Sequence, residues 1–451
     1  MSYFDKKLKR RKNKFKQKNT RNKSVNKRSK INVKISKNKR NERLSKRRNI
    51  KDTFQNNSFP NLVETTPTIQ DLPKLSKLLF SENIDDVKFS TQAIRKLISM
   101  EEEEPPIEEL FLTKTVPFFV KVLKESEDQF LLVIWTLSNI AGDKIEFRDI
   151  ILENEGIIDK VLSIIDEKED INIIEYSIWL LSNLCKDSPH PPLEMIQPCI
   201  PLFGKYLKSN DENLIQLCTL GLSEVSDESE ENIDAVLKLD CISVLIEILR
   251  NTSDYTTQLY IIKTLGNLTS GNNLQTEIVL KHDGLLTLLQ NLLKNSSVHL
   301  QKEICWTISN ITAGTSNHIS MVIEAGLIED ILEVMKYSNY QLRKECCWIL
   351  SNAIYGGNQS QIIEIVNEQL IESLSEFLED EKSGIITICL ESYEKILQLG
   401  AFMAESQGSN ENKLLILFEE YNIITKIENL HNHKKKVIQD LSKRIADNFF
   451  N

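Results

Sequence analysis

Five short segments repeat one pattern, an indole or a lysine four residues ahead of an asparagine: Trp135–Asn139, Trp179–Asn183, Lys263–Asn267, Trp306–Asn310 and Trp348–Asn352. Residues four apart on an α-helix share a face, about one turn apart. An asparagine amide carries donors and acceptors together, so it suits a peptide backbone whatever side chains that peptide bears. Tryptophans in series make flat-walled slots that fit the aliphatic stem of Lys or Arg, and the ring face attracts the cation. Acidic residues stand beside the pairs: Asp143 four after Asn139, and Glu303 and Glu345 each three before a tryptophan. The chemistry these types support is noncovalent capture of an extended cationic strand. A packed core would also use tryptophan at repeat spacing. Asparagine, however, has poor helix propensity, and its return at one phase calls for a reason beyond packing.

The elements that carry these residues must repeat as the residues do. The first positions of the five segments lie 44, 84, 43 and 42 residues apart, and the long gap is two periods with a degenerate copy at Leu220–Glu224. A second marker follows three of the pairs at a steady distance: Glu155-Gly156-Ile157-Ile158, His282-Asp283-Gly284-Leu285 and Glu324-Ala325-Gly326-Leu327. Its glycine suits a turn between helices. Between markers, apolar residues recur at three- and four-residue spacing, as in Val161-Leu162-Ile164-Ile165 and Leu285-Leu286-Leu288-Leu289-Leu292-Leu293. This period matches armadillo and HEAT arrays of two or three helices per unit. Such a unit cannot bury its apolar face alone, so neighbours must stack. The expected fold is all-α: a right-handed superhelical solenoid of about nine armadillo repeats. The first starts near Leu72 and the last covers about Lys413–Phe450, and both end units lack the pair, as caps do.

Charge divides the chain. Residues 1–51 hold 23 Lys and Arg against 2 Asp and Glu, whereas the remainder holds 33 against 63. The basic segment is too charged to fold alone and is expected to be disordered. Residues 52–70, with Asn56, Asn57, Ser58, Pro60, Thr65, Thr66, Pro67 and Thr68, read as a flexible linker, and 71–451 as the solenoid. Opposite blocks on one chain attract each other, and an acidic body points to a cationic ligand. Gly (14) and Pro (11) are scarce, which favours helices. No apolar run reaches the roughly 18 residues a bilayer requires, and no secretory signal opens the chain, so an intracellular protein without membrane insertion is expected. Cys185, Cys199, Cys218, Cys241, Cys305, Cys346, Cys347 and Cys389 lie in apolar segments without metal-binding spacing and read as reduced core thiols.

At these residues the chain resembles the importin-α (karyopherin-α) family along nearly its whole length. The resemblance is strongest at Gln92–Ser99, Ser138–Asp149, Leu181–Asp187 and Gln301–Gly314, and extends to Lys426–His433. Arg28–Arg40 and Leu44–Asn49 resemble the importin-β-binding segment of that family. The resemblance implies a nuclear-import adaptor that takes cargo with basic nuclear-localisation signals and shuttles between cytoplasm and nucleus. It implies a major cargo site at Trp135, Asn139, Asp143, Trp179 and Asn183, with Asp143 facing the key cargo lysine. It implies a minor site at Glu303, Trp306, Asn310, Glu345, Trp348 and Asn352, with Lys263 and Asn267 matching the repeat where a basic residue replaces tryptophan. Arg28, Lys30, Ile31, Val33, Lys39, Arg40, Lys46, Arg47 and Arg48 would bind importin-β; left free, Lys46-Arg47-Arg48 would mimic cargo and autoinhibit. A nuclear export receptor would recycle the adaptor. No cofactor or metal is implied.

The chain departs from the family in two respects, one being that Leu220–Glu224 lacks the usual aromatic pair. The family usually has ten repeats with three tryptophan pairs in the first block, and here that block has two. A weakened major site follows, with the minor site carrying a larger share of cargo. Other function classes fit less well. A nucleic-acid protein would use the basic tail, but that tail has only Tyr3, Phe4 and Phe15 for base stacking; gel shifts with the tail alone discriminate. A signalling or adhesion scaffold of this fold would want a basic groove. An enzyme would want a phosphate loop, a zinc-protease motif or a nucleophile elbow, and none is present. The six histidines, His190, His282, His299, His318, His431 and His433, are scattered.

Overall fold

The computed structural model describes residues 67–99, 106–112, 115–125, 130–187, 189–408 and 412–450. The basic-segment residues from Arg28 to Arg48 and most of the linker lie outside them. The described residues fall into two compact units that divide after Val244. Among the described residues there are helices and no strands. Helices recur as the spacing requires: a long helix closes each repeat, usually behind two shorter ones, such as Ile145–Leu152 and Ile157–Glu167. In the first unit the closing helices are α1 (Ile84–Ile98), α2 (Phe130–Ala141), α3 (Ile171–Leu184) and α4 (Glu212–Val225), each packed on the next. In the second they are α5 (Tyr255–Ser270), α6 (Val298–Thr312), α7 (Tyr340–Gly356), α8 (Ser383–Ser406) and α9 (Lys436–Phe449), again in sequence.

Local sequence explains where these helices begin. Asp170, Asp211, Asp254, Ser297 and Asn339 each precede a closing helix and accept a backbone N–H of its first turn. Such a cap contributes about 1 kcal/mol over alanine. The marker glycines Gly156, Gly284 and Gly326 have φ of 75°, 79° and 68°, the left-handed conformation that costs other residues energy. They turn the chain into the middle helix, which buries one apolar stripe: Ile157, Ile158, Val161, Ile164 and Ile165 in one repeat, Leu285, Leu289 and Leu293 in another. Closing helices are buried more completely. Every residue of α2 is buried: the helix is mostly apolar, and its polar Thr136, Ser138 and Asn139 side chains make hydrogen bonds there.

The core cysteines behave as expected. All eight are buried and unbridged, and burial pushes the Cys241 thiol up to about 11, which leaves it protonated and unreactive.

Two buried cations finish the first unit in a way the spacing does not reveal. Lys186 Nζ donates to the Gly142 carbonyl just past the end of α2. Arg148, 1% exposed, donates to the carbonyls of Lys186, Asp187 (2.8 Å) and Pro189 (2.9 Å) past the end of α3. A cation there satisfies orphan carbonyls and complements the helix dipole. Beside them the His190 ring is buried, with Nδ1 3.2 Å from the Cys185 carbonyl and Nε2 3.6 Å from Asp227. Burial disfavours the imidazolium, yet Asp227, Glu224 and that carbonyl outweigh it and hold the His190 pKa above the usual value.

Candidate peptide-binding site

The Trp–Asn pairs sit on the closing helices, one pair per helix, at a constant phase. The asparagines are buried, and their amides are half spent on the fold. Asn183 Nδ2 donates to the Ser138 carbonyl at 3.0 Å, Asn310 to Gly266 at 3.0 Å and Asn352 to Ser309 at 3.1 Å. Each acceptor is the residue just before the preceding helix's own asparagine position. Asn139 does the same to α1 through a side chain, donating to Ser99 Oγ at 3.0 Å. Because the facing atom is a carbonyl oxygen in three cases, the amide nitrogen must point at it and the oxygen away. The sequence suggests that both ends of each amide are offered to a ligand; instead the N–H links consecutive repeats and the oxygen is left. Oδ1 of Asn139, Asn183 and Asn310 is buried and accepts no hydrogen bond. A buried acceptor without a donor costs about 1–3 kcal/mol, and that cost recurs at one phase within each unit, at Asn139 and Asn183 in the first and at Asn310 in the second.

In the second unit the pairs lie on α5, α6 and α7. The Trp306 indole lies against Gly266 of α5: a Cβ there would come within 2.5 Å of Trp306 Cζ3 and 2.7 Å of Cε3. Glycine in the K-T-L-G-N segment therefore seats the indole of the next repeat while its carbonyl receives Asn310. Trp306 is 7% exposed and its Nε1 has no acceptor. Trp348 is half-buried on α7, above buried Asn352. Lys263 is half-buried on α5 with Asn267 buried one turn on. Glu303 stands half-buried before Trp306. Glu345 is buried 3.3 Å from Lys344 Nζ, so its charge is already partly matched within the chain.

The first unit brings Trp135, Asn139, Asp143, Trp179 and Asn183 onto α2, α3 and the turn after α2. Gly142 lets this happen, since a Cβ there would press on Asn183 Nδ2 at 3.3 Å and the Ser138 carbonyl at 3.1 Å. Asp143 is buried in the turn, its N–H bonded to the Ile140 carbonyl. Both tryptophans are nearly closed off, at 7% and 2% exposure. The reason is a pair of residues that the sequence reading passed over. Tyr176 of α3 stacks on Trp135 at 4.8 Å with 25° between planes, and the Arg95 guanidinium of α1 lies 3.9 Å from the Trp135 ring centroid. Tyr176 also meets Trp179 at 6.0 Å. Signals for both exist in register: Arg95 and Ser99 fill the Trp and Asn positions of α1, and Tyr176 stands three before Trp179, where Glu303 and Glu345 stand before their tryptophans.

Among the described residues no group of His, Cys, Asp and Glu is arranged to hold a metal ion. What the surface can do chemically is hydrogen-bond an extended chain through carbonyl-type oxygens and pack its side chains on indoles.

Comparison with known proteins agrees over most of the chain. A family model described as an importin beta binding domain matches residues 11–92, and one described as an armadillo/beta-catenin-like repeat matches 229–270 and 272–313. Importin subunit alpha-3 of Arabidopsis thaliana is 30% identical over 468 residues, covering 93% of this chain and 87% of its own. Importin subunit alpha-1b of Oryza sativa subsp. japonica is 28% identical over 396 residues, covering 86% and 73%. A crystal structure of an engineered protein superposes with a TM-score of 0.70 at 19% identity, over 84% of this chain and 89% of that one; it supports the fold alone.

Proposed function

The chain belongs to the importin-α family, and we propose that its closing helices hold Lys/Arg-rich nuclear-localisation signals while residues 1–51 link the loaded adaptor to importin-β. The protein is a nuclear-import adaptor built as an armadillo solenoid. The observation that supports the site assignment is the return of the same Trp–Asn arrangement on the closing helices of each unit, with a donor-less Oδ1 at Asn139 and Asn183 in the first and at Asn310 in the second. An extended peptide presents N–H groups at regular intervals along one edge; these are the donors the oxygens lack, and because all three asparagines are fully buried the side chains that cover them shift when the peptide binds. On the second unit Trp306 and Trp348 then flank the side chains of a bound peptide and Glu303 favours cations among them; on the first, Asp143 favours a cation. The two blocks, Trp135 to Asn183 and Lys263 to Asn352, correspond to the major and minor cargo sites.

The basic segment acts twice in this reading. Bound to importin-β it joins carrier to cargo. Unbound, Lys46-Arg47-Arg48 competes for the peptide row, and a tether of roughly twenty residues sets the effective concentration. The adaptor shuttles between cytoplasm and nucleus, and a nuclear export receptor returns it. The solenoid, starting at about residue 71, performs no catalysis.

The test uses the full chain. A labelled octapeptide of alternating Lys and Arg is titrated against wild type, against the Lys46→Ala/Arg47→Ala/Arg48→Ala triple variant, and against wild type saturated with importin-β. The triple variant and the importin-β complex should both bind more tightly than free wild type. Equal affinity in all three would remove the competition, and no peptide binding in any would remove the cargo site.

A further inference from the structure

Trp135 is already sandwiched by its own chain. The Arg95 guanidinium lies 3.9 Å from the ring centroid on α1, and Tyr176 stacks at 4.8 Å from α3. All three are essentially closed to solvent, at 8%, 7% and 1% exposure. A guanidinium over an indole face is the contact that a cargo arginine would make there. Tyr176, reaching on to Trp179 at 6.0 Å, fills the space that a lysine stem would need between the two indoles. In the second unit Trp306 is as closed as Trp135, at 7% exposure, but no described residue stacks on it or places a cation over it; it rests against the backbone of Gly266, and Trp348 of the same block is only half-buried. The two blocks therefore share the asparagine ladder but not the slots.

We propose that Arg95 is a resident stand-in for a cargo cation, which with Tyr176 closes the slots of the Trp135–Asn183 block and so confines side-chain selection of basic cargo to the Trp306–Asn352 block. The inference rests on the peptide-binding reading above and adds to it which block discriminates. Arg95 is a specificity-determining residue: it enters the site from the first repeat, whose closing helix offers Arg95 and Ser99 where later helices offer Trp and Asn. The same contact explains how a first block with only two tryptophans remains closed. Its outermost indole finds a guanidinium where an array with one more repeat would present another ring.

The test compares full-length variants, all carrying the Lys46→Ala/Arg47→Ala/Arg48→Ala substitutions so that the tail does not compete. The alternating Lys/Arg octapeptide is titrated against this background, with Trp306→Ala, and with Trp306→Ala combined with Arg95→Ala, Arg95→Lys or Tyr176→Ala. Trp306→Ala should remove most binding. Adding Arg95→Ala should restore it about tenfold, the worth of one desolvated cation over an indole, and Tyr176→Ala should act in the same direction. Arg95→Lys keeps a cation on the ring and should restore little. If Arg95→Ala does not fold, Arg95→Gln, which keeps a planar group but no charge, is measured in its place with the same expectation. Binding that is strong in the background, falls with Trp306→Ala and then does not rise with Arg95→Ala or Tyr176→Ala overturns the closure while leaving the cargo site standing. So does a peptide affinity that Trp306→Ala leaves unchanged. No binding in the background would instead defeat the cargo reading itself.

Discussion

Gly266→Ala is the substitution whose consequence the structure fixes most closely. The added carbon would lie 2.5 Å from Trp306 Cζ3, 2.7 Å from Cε3 and 2.9 Å from Thr307 Oγ1. Carbon atoms rest about 3.5–4.0 Å apart, so the indole must withdraw by about 1 Å. It is a rigid, buried ring with little room to tilt, and overpacking of this kind costs about 1–3 kcal/mol. Alanine in a helix interior returns about 1 kcal/mol relative to glycine. The expected net loss is about 1 kcal/mol. Function should suffer more than stability, because the Gly266 carbonyl also receives Asn310 Nδ2 at 3.0 Å, so ring and amide are displaced together. The assay is urea unfolding beside octapeptide titration, with the tail-substituted full chain as reference. We expect a lower midpoint and a peptide affinity reduced about tenfold, which is about 1.4 kcal/mol of binding. Trp306→Phe in the Gly266→Ala background removes the clashing atoms and should recover the midpoint. A Gly266→Ala protein that is more stable than its parent and binds equally would refute the seating of the indole on that backbone.

Three further outcomes are expected. Asn310→Asp keeps the shape but turns a carboxylate oxygen toward the Gly266 carbonyl, and should cost about 3 kcal/mol in thermal or chemical unfolding. Arg148→Met leaves the carbonyls of Lys186, Asp187 and Pro189 without their donor, and should destabilise the first unit by about 2–4 kcal/mol, with faster amide exchange just past the end of α3. The His190 pKa is raised in the folded state, so its contribution is complete below the unfolded value of about 6.5 and is lost as pH rises through the folded value. Wild-type stability should therefore decline upward from pH 6.5 more than that of His190→Gln, and equal slopes would contradict the pairing with Asp227 and Glu224.

Much of the architecture is legible in the sequence because it is periodic. The 42- to 44-residue return of the pairs predicts the closing helices, and the marker glycines predict the left-handed turns found at Gly156, Gly284 and Gly326. The phase of the asparagines is legible for the same reason. What each amide does is not, because its partner lies at least forty residues back, in the preceding repeat, and at Asn183, Asn310 and Asn352 is a backbone carbonyl, which no residue type announces. Tryptophan likewise signals a slot without saying whether the slot is empty. At Trp135 the answer depends on Arg95 and Tyr176, two residues that look ordinary until they are aligned with Trp135 and Glu303. Nothing in the spacing announces that Arg148 and Lys186 are buried caps, since the helix-end carbonyls they satisfy are brought to them only once the repeats have stacked.

The most direct measurement of the peptide row is the indole spectrum. The chain has four tryptophans, and ¹⁵N labelling of tryptophan alone gives four Nε1–H resonances, assigned by single Trp→Phe substitutions. Titration of the tail-substituted full chain with the Lys/Arg octapeptide should move the Trp306 and Trp348 resonances in a saturable way, with Asn310→Ala weakening the response. Saturable binding of that peptide with all four indole resonances unmoved would contradict the account.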